Sequence, residues 1–257
     1  MLKRALGKLR DGLVSLAYPE MCRVCGGPVE SWPDGSACAR CWSDPLITFL
    51  FSNKPVCEKC GTLLDDDQRR RCGYCDDTPF AAARACGAYS GALEASILFL
   101  KSHPYICGRL RSIIAGSLSE NRSLLQSDKV IAVPLAVPRK RERGFNQATV
   151  IAKAICSEKG MALDERSLVR VRHTERHRAG LDAVDRARSV ERAFKVVRPR
   201  EVEGASVLLV DDLYTTGSTV SAAIVALLGA GAGPVSVFTL ARVIRTGARA
   251  GEAGYIQ

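Results

Sequence analysis

The sequence contains no apolar run of the roughly 18–20 residues that a membrane-spanning helix needs. Its first 20 residues, MLKRALGKLRDGLVSLAYPE, lack a continuous apolar h-region, so a cleaved secretory leader is not expected. Aromatic residues make up only 6% of the chain, which argues against the base-stacking platform that single-strand binders employ. No Gly-x-x-x-x-Gly-Lys occurs, which excludes the phosphate loop of nucleoside triphosphatases.

What is present is a 257-residue chain with 47% hydrophobic residues, enough for one medium domain with a real core and a small second one. The formal net charge is +10, which suits a polyanionic partner: a polyphosphate metabolite, nucleic acid or a membrane surface. Leu2, Leu6, Leu9, Leu13 and Leu16 recur at helical spacing with Lys3, Arg4, Lys8 and Arg10 between them. A membrane-surface helix has that pattern, and so does a short helix packed on its own domain, which is the expectation here.

Eight of the 11 cysteines fall into four Cys-x-x-Cys pairs: Cys22/Cys25, Cys38/Cys41, Cys57/Cys60 and Cys72/Cys75. Each pair is a tight turn that aims two thiolates at one point, and two such turns make the tetrahedral four-sulfur site that structural zinc prefers. Glycine follows the second cysteine in CRVCGG and CEKCG, as the turn requires, and the gaps of 12, 15 and 11 residues approach zinc-ribbon spacing. Two structural zinc sites are expected, paired most simply in sequence order, with an interleaved pairing as the alternative. A redox dithiol is the rival chemistry, but it uses one pair at a helix start rather than four in loops. Cys86, Cys107 and Cys156 stand among apolar or small neighbours and read as buried free thiols.

The pattern changes near residue 84. SGALEASILFLKS reads as a helix with Leu93, Ile97, Leu98 and Leu100 inward, and GRLRSIIAGSLSE as a second amphipathic helix. DKVIAVPL (128–135) reads as a buried strand and GFNQATVIAKAICSEKG (144–160) as a helix closed by Gly160. RSLVRVR, AFKVV and ASVLLVDD are strand-like. STVSAAIVALLGAG is a helix capped by Ser218 or Thr219 and stopped at Gly229 or Gly231, and PVSVFTLAR (234–242) is a closing strand. Strands alternating with helices imply an α/β fold, a parallel sheet with helices on both faces, whose ligands sit beyond the carboxyl ends of the strands. The domains expected are residues 1–83, an N-terminal helix and double zinc ribbon, and residues 84–257, the α/β domain.

The stretch VLLVDDLYTTGSTV (207–220) runs a buried strand into Asp211 and Asp212 and then into a turn of Thr215, Thr216, Gly217, Ser218 and Thr219 at a helix start. Open amides, hydroxyls and the helix dipole make a phosphate cradle, and Gly217 lets the backbone approach a ligand. Two carboxylates beside it accept hydrogen bonds from vicinal hydroxyls or hold Mg²⁺. Sugar diol plus phosphate describes a ribose 5-phosphate; the bland alternative is a helix cap with two solvated acids.

VLLVDDLYTTGSTV resembles the binding motif of type I phosphoribosyltransferases, which bind phosphoribosyl pyrophosphate (PRPP) with Mg²⁺. That resemblance implies a type I phosphoribosyltransferase-like sheet, with Asp211 and Asp212 as the catalytic acids on the ribose hydroxyls and Thr215 through Thr219 on the 5′-phosphate. VPLAVPRKRERGFNQA (133–148) resembles the signature of the ComF (competence protein F) family. An arginine-rich stretch ending in Ala-Phe follows, and the double zinc ribbon extends the match over nearly the whole chain; His177, Arg178 and Ser189 depart from the usual pattern. The loop Ala136–Gly144 then corresponds to the pyrophosphate loop, with Arg139, Lys140, Arg141, Arg143 and Gly144, and a solvated basic face is its plain alternative. Lys101 stands where the family usually has lysine. Arg170–Arg188 resembles a flexible lid, with Arg172, Arg176 and Arg178 as candidates and His173 and His177 read as surface residues.

Three functions are compatible with these residues. The first is a phosphoribosyltransferase of nucleoside metabolism, releasing pyrophosphate to a nitrogen acceptor; without cysteine after Met1 the glutamine-hydrolysing version is not expected. The second, also implied by the family, is a cytoplasmic DNA-uptake protein of natural transformation, with single-stranded DNA and a DNA-uptake helicase as partners. The third is a PRPP sensor without turnover, for which the acids and cradle are the same.

Overall fold

The computed structural model of the chain describes residues 20–30, 35–44, 55–64, 70–73, 75–171 and 193–244. The leucine-patterned N-terminal stretch and the arginine-rich residues from Arg172 through Arg188, His173 and His177 included, lie outside the described residues. The strands are β1 (Ala83–Ala88), β2 (Lys129–Ala132), β3 (Leu163–Asp164), β4 (Leu168–Arg170), β5 (Phe194–Val196), β6 (Val207–Tyr214) and β7 (Val235–Arg242). The α-helices are α1 (Ala39–Trp42), α2 (Gly91–Leu100), α3 (Gly108–Glu120), α4 (Val137–Arg143), α5 (Gln147–Lys159) and α6 (Ser218–Gly229).

Five strands form one sheet in the order β1-β7-β6-β2-β3, every neighbour parallel. β4 and β5 pair separately and antiparallel. β6 sits at the centre. Its Val207, Leu208, Leu209 and Val210 are all fully buried, because a parallel sheet covered on both faces needs a continuous apolar run rather than alternation. The Asn146 side chain caps α5 by accepting from the Ala148 N–H at 3.2 Å, and Gly160 ends it. Cys107 caps α3, its sulfur accepting from the Leu110 N–H.

Each face of the sheet has its own core. On one, Leu208, Val210, Phe238 and Leu240 pack with residues of α2, α3 and α5. On the other, Val207, Leu209, Val235 and Val237 pack with α6, with Leu168 and Phe194 of the β4–β5 pair, and with Phe80. Each core also includes cysteines: Cys22 and Cys38 with Trp42 on the α2 face, Cys57, Cys60 and Cys75 on the α6 face. The N-terminal third therefore straddles the sheet at β1.

The free edge of β1 is covered by the same segment. The Ala83 N–H donates to the Lys59 carbonyl at 2.8 Å. Arg84 donates to the carbonyls of Glu58 at 2.8 Å and Lys59 at 3.3 Å and to the Asn121 side chain at 2.8 Å, joining the second cysteine knuckle to β1 and to the end of α3.

Several sequence expectations shift in detail. Leu98 is 45% exposed, because Leu93, Ile97 and Leu100 define the inward stripe and Leu98 falls about 100° away from Ile97. The stretch 136–144, expected as a loop, contains helix α4. Pro138 presets the helical backbone in the first turn, Arg-Lys-Arg-Glu-Arg are good helix formers, and Gly144 terminates it. β6 continues past the two acids to Tyr214, and the N-cap of α6 is Gly217, with Ser218 as its first helical residue.

Replacing Arg84 with alanine would leave the part-buried carbonyls of Lys59 and Ala83 and the Asn121 side chain without their donor. Arg84→Ala should lower the unfolding free energy by about 3 kcal/mol. Lys153→Ala, which removes a surface ion pair with Glu165 of 2.9 Å, should change it by less than about 1 kcal/mol. Urea titration of both variants in the presence of zinc measures the contrast.

Candidate functional site

The cysteines gather in sequence order. Cys22, Cys25, Cys38 and Cys41 form one cluster and Cys57, Cys60, Cys72 and Cys75 another, each with all its sulfurs within 4.8 Å of one another. A tetrahedron with metal–sulfur bonds of about 2.3 Å has sulfur–sulfur edges of about 3.8 Å. Cys25 and Cys38 are 3.7 Å apart, and Cys57–Cys75, Cys60–Cys72 and Cys72–Cys75 are each 3.6 Å apart. All eight are free thiols, so both clusters fit zinc as closed structural sites. The knuckles turn through Gly26 and Gly61, both at positive φ, whose N–H groups donate to the carbonyls of Cys22 and Cys57.

Electrostatics support the same reading. Burial raises the Cys22 thiol, but N–H donors of Cys25, Cys38 and Val24 outweigh it and bring it to about 6. Burial and neighbouring thiols push Cys41 up to about 12. Four sulfurs in contact cannot all ionise unless a cation lies between them, and a tetrathiolate zinc still carries two net negative charges. Arg40 stands beside the first cluster, Arg84 and Arg242 beside the second, to offset them.

At the carboxyl edge of the sheet, β6 delivers the acid pair. Asp211 accepts from the Asp212 N–H at 2.9 Å. Burial pushes the Asp211 carboxyl well above the ordinary range, the Asp212 charge adds to this, and the Arg170 guanidinium opposes it. Arg170 ends β4, lies 5.3 Å over the Phe194 ring and is itself lowered by burial and by Arg139 of α4. Asp211 interacts with both Asp212 and Arg170, and the Tyr89 hydroxyl, raised first by burial, senses Glu94 and Asp212.

The turn that follows is open. Thr215, Thr216 and Ser218 are exposed, Thr219 is half-buried, and the Thr216 and Ser218 hydroxyls hydrogen-bond each other. Gly217 faces inward at φ 79°, where a Cβ would fall 2.8 Å from Tyr214 Cζ. Only glycine fits there, which puts the first amides of the 12-residue α6 against whatever the turn holds. Arg139, Lys140 and Arg141 are exposed on α4, Arg143 is half-buried, and Gly144 closes the helix at φ 77°. Lys101 is the C-cap of α2.

A cleft of about 940 Å³ runs from Arg170 along α5, its wall including Tyr105, Arg111, Lys140, Phe145 and Lys153. Sequence reading missed Arg170 as a site residue, and with it the buried Arg242 and Tyr214. Arg242 had a visible signal: a lone charge ending the apolar run PVSVFTLAR, as Asp211 ends its own. Arg170 had none, because its partner lies 41 residues away on another strand.

Residues 13–77 match the family model described as a double zinc ribbon domain. The chain is 30% identical over 242 residues to the DNA utilization protein YhgH of Escherichia coli O157:H7, covering 89% of this chain and 100% of that protein. It is 33% identical over 223 residues to the competence protein ComFC of Bacillus subtilis (strain 168), covering 75% of this chain and 88% of that one. Among solved structures, the glutamine PRPP amidotransferase from B. subtilis complexed with ADP and GMP is similar at a TM-score of 0.35 and 22% identity over 56% of this chain, which spans 30% of that enzyme's length.

Cys25→Ser and Cys72→Ser should each lower the zinc content from two ions to one per chain in elemental analysis. A carboxyl whose folded value is raised stabilises the fold below its unfolded value, near pH 4, and loses that contribution as pH rises. Asp211→Asn should therefore raise the melting temperature by a few degrees at pH 7.5, and the gain should shrink as pH falls toward the ordinary carboxylate range, as differential scanning calorimetry would record.

Proposed function

The chain belongs to the ComF family, and from that premise we propose that it binds PRPP with Mg²⁺ at the carboxyl edge of its sheet and transfers the phosphoribosyl group to a nitrogen acceptor. One observation carries the reading. Two carboxylates on one central strand stand just before a Gly217-locked turn that exposes Thr215, Thr216 and Ser218 at the start of α6. Asp211 and Asp212 take the ribose hydroxyls, Thr215 through Thr219 the 5′-phosphate, and Arg139, Lys140, Arg141, Arg143 and the Gly144 turn the pyrophosphate. Mg²⁺, when bound, neutralises diphosphate charge. The protein's own part is to fix the sugar, gather the departing negative charge among arginines and keep water away. Arg170, between Asp211 and Arg139, is well placed to follow that charge. In this reading residues 1–83 form the zinc-binding part and residues 84–257 the transferase-like part.

A second reading has its own support. Relatives are named for DNA utilization and competence, and the cleft along α5 combines Arg111, Lys140, Lys153 and Arg170 with Tyr105 and Phe145, the cation-plus-ring chemistry that holds a single strand. In that role the protein handles single-stranded DNA in the cytoplasm beside a DNA-uptake helicase, with the PRPP site as a sensor. No helix among the described residues is long and apolar enough to cross a membrane.

Calorimetric titration of PRPP with Mg²⁺ into the zinc-loaded chain tests the PRPP site on which the transferase reading depends. Binding is expected in the parent, with a loss of at least about 100-fold in an Asp211→Ala/Asp212→Ala variant, as for removal of charge-assisted hydrogen bonds. A folded parent that does not bind PRPP would sink the transferase reading and leave the basic cleft as the lead.

A further inference from the structure

We propose that the second cysteine cluster positions the phosphate turn through Arg242 and Tyr214, so that zinc held by Cys57, Cys60, Cys72 and Cys75 and ligand held by Thr215–Thr219 favour each other, while the first cluster takes no part. The proposal rests on the PRPP reading of the turn and adds to it a structural control from the opposite end of the sequence.

The connection is contiguous. Arg242, the last residue of β7, is only 7% exposed, and its Nη1 donates to the main-chain carbonyl of Cys60, a residue of the cluster itself. Its guanidinium carbon lies 5.1 Å over the Tyr214 ring, and the two residues are register partners at the ends of β7 and β6. Tyr214 is 9% exposed and meets Phe80 edge-on at 6.3 Å. Lys59, inside the same knuckle, lies 5.7 Å over the Phe80 ring and donates to the carbonyls of Asp76 and Thr78, just beyond Cys75. The far end of the Tyr214 ring lies directly beneath Gly217. Cysteine knuckle, arginine, tyrosine and phosphate turn are thus successive members of one packed row.

The energetics give the row a direction. A buried guanidinium must keep its acceptors, since losing one costs more than an ordinary hydrogen bond. When the second cluster loses its metal, the Cys60 carbonyl is no longer fixed, and Arg242 must follow it or seek water. Either movement withdraws the cation from the Tyr214 ring, and the turn at Gly217, having no side chain of its own, rests on that ring. The first cluster packs elsewhere: its Cys22 and Cys38 pack with Trp42 and α2 on the opposite face, and Ser36 meets Ser96 at 3.3 Å. Coupling between two ligands is reciprocal, so PRPP must hold the second zinc by the same factor as that zinc improves PRPP affinity.

The test uses the full zinc-loaded chain and a chromogenic chelator. Saturating PRPP with Mg²⁺ should slow zinc loss from the second cluster about tenfold and leave the first unchanged, the two being told apart with Cys25→Ser and Cys72→Ser. Arg242→Gln should keep two zincs, weaken PRPP about tenfold and abolish the protection, and Arg242→Lys should restore part of it. Hydrogen exchange gives a readout free of ligand and of substitution: amides 215–219 should exchange faster once the second zinc is stripped. PRPP bound by calorimetry with ligand-independent zinc loss from both clusters would overturn the coupling alone. No PRPP binding would remove the underlying reading, and unchanged exchange at 215–219 would then overturn the positioning role as well.

Discussion

A parallel sheet exposes no face to water, so its strand ends are the places where polar chemistry can meet solvent beside a rigid frame. That constraint organises this protein. β6 is buried throughout Val207–Val210 and turns polar only at Asp211, where the carboxyl edge begins. The same constraint explains why the cysteine segment is integral to the fold. Its two halves extend the cores on opposite faces, and its carbonyls cover the free edge of β1 through Ala83 and Arg84. An uncovered edge strand would invite pairing with another chain, so the ribbons act as cover as well as metal sites.

Holding charge at that edge has a cost which the surroundings only partly offset. Asp211 is raised by burial and by Asp212, and Arg170 draws it back. Arg170 in turn is lowered by burial and by Arg139. A site tuned purely for stability would not crowd two acids and two arginines in this way. A ligand that brings hydroxyl donors to the acids and phosphate oxygens to the arginines relieves every one of these strains together, as expected where function opposes stability.

Much of this was legible in the sequence because the signals were local. Cys-x-x-Cys pairs, the VLLVDD run and helix stops such as Gly160 each depend on a few neighbouring residues, and the sheet and sequential clusters follow from them. The misses were of two kinds. The charge of residues 139–143 suggests a ligand loop, whereas Pro138 and five helix formers favour the helix α4 that the structure contains. Gly217 took the cap expected of Ser218 because the packing of Tyr214 beneath it, a tertiary fact, demanded a residue without Cβ. Arg84, Arg170 and Arg242 act on residues far away in the chain, and no window of sequence contains both partners.

The net charge of +10 bears on the choice between a metabolite and a polymer, because the cations are not placed alike. Arg170 is partly withdrawn from water beside Asp211, whereas Arg139, Lys140 and Arg141 stand exposed on α4. Charges withdrawn from water interact strongly with a compact diphosphate and are little screened by salt. Exposed charges spread along a cleft attract a polyanion through counterion release, and that attraction falls steeply with salt. Arg170 and Lys140 both line the cleft, and Lys140 also rides the helix proposed to hold pyrophosphate. A bound diphosphate would remove part of the cleft's positive charge, so the two anions should compete across α4 even though their sites differ. On the proposed readings, a small phosphorylated sugar would then lower the affinity for a nucleic acid strand by charge neutralisation alone.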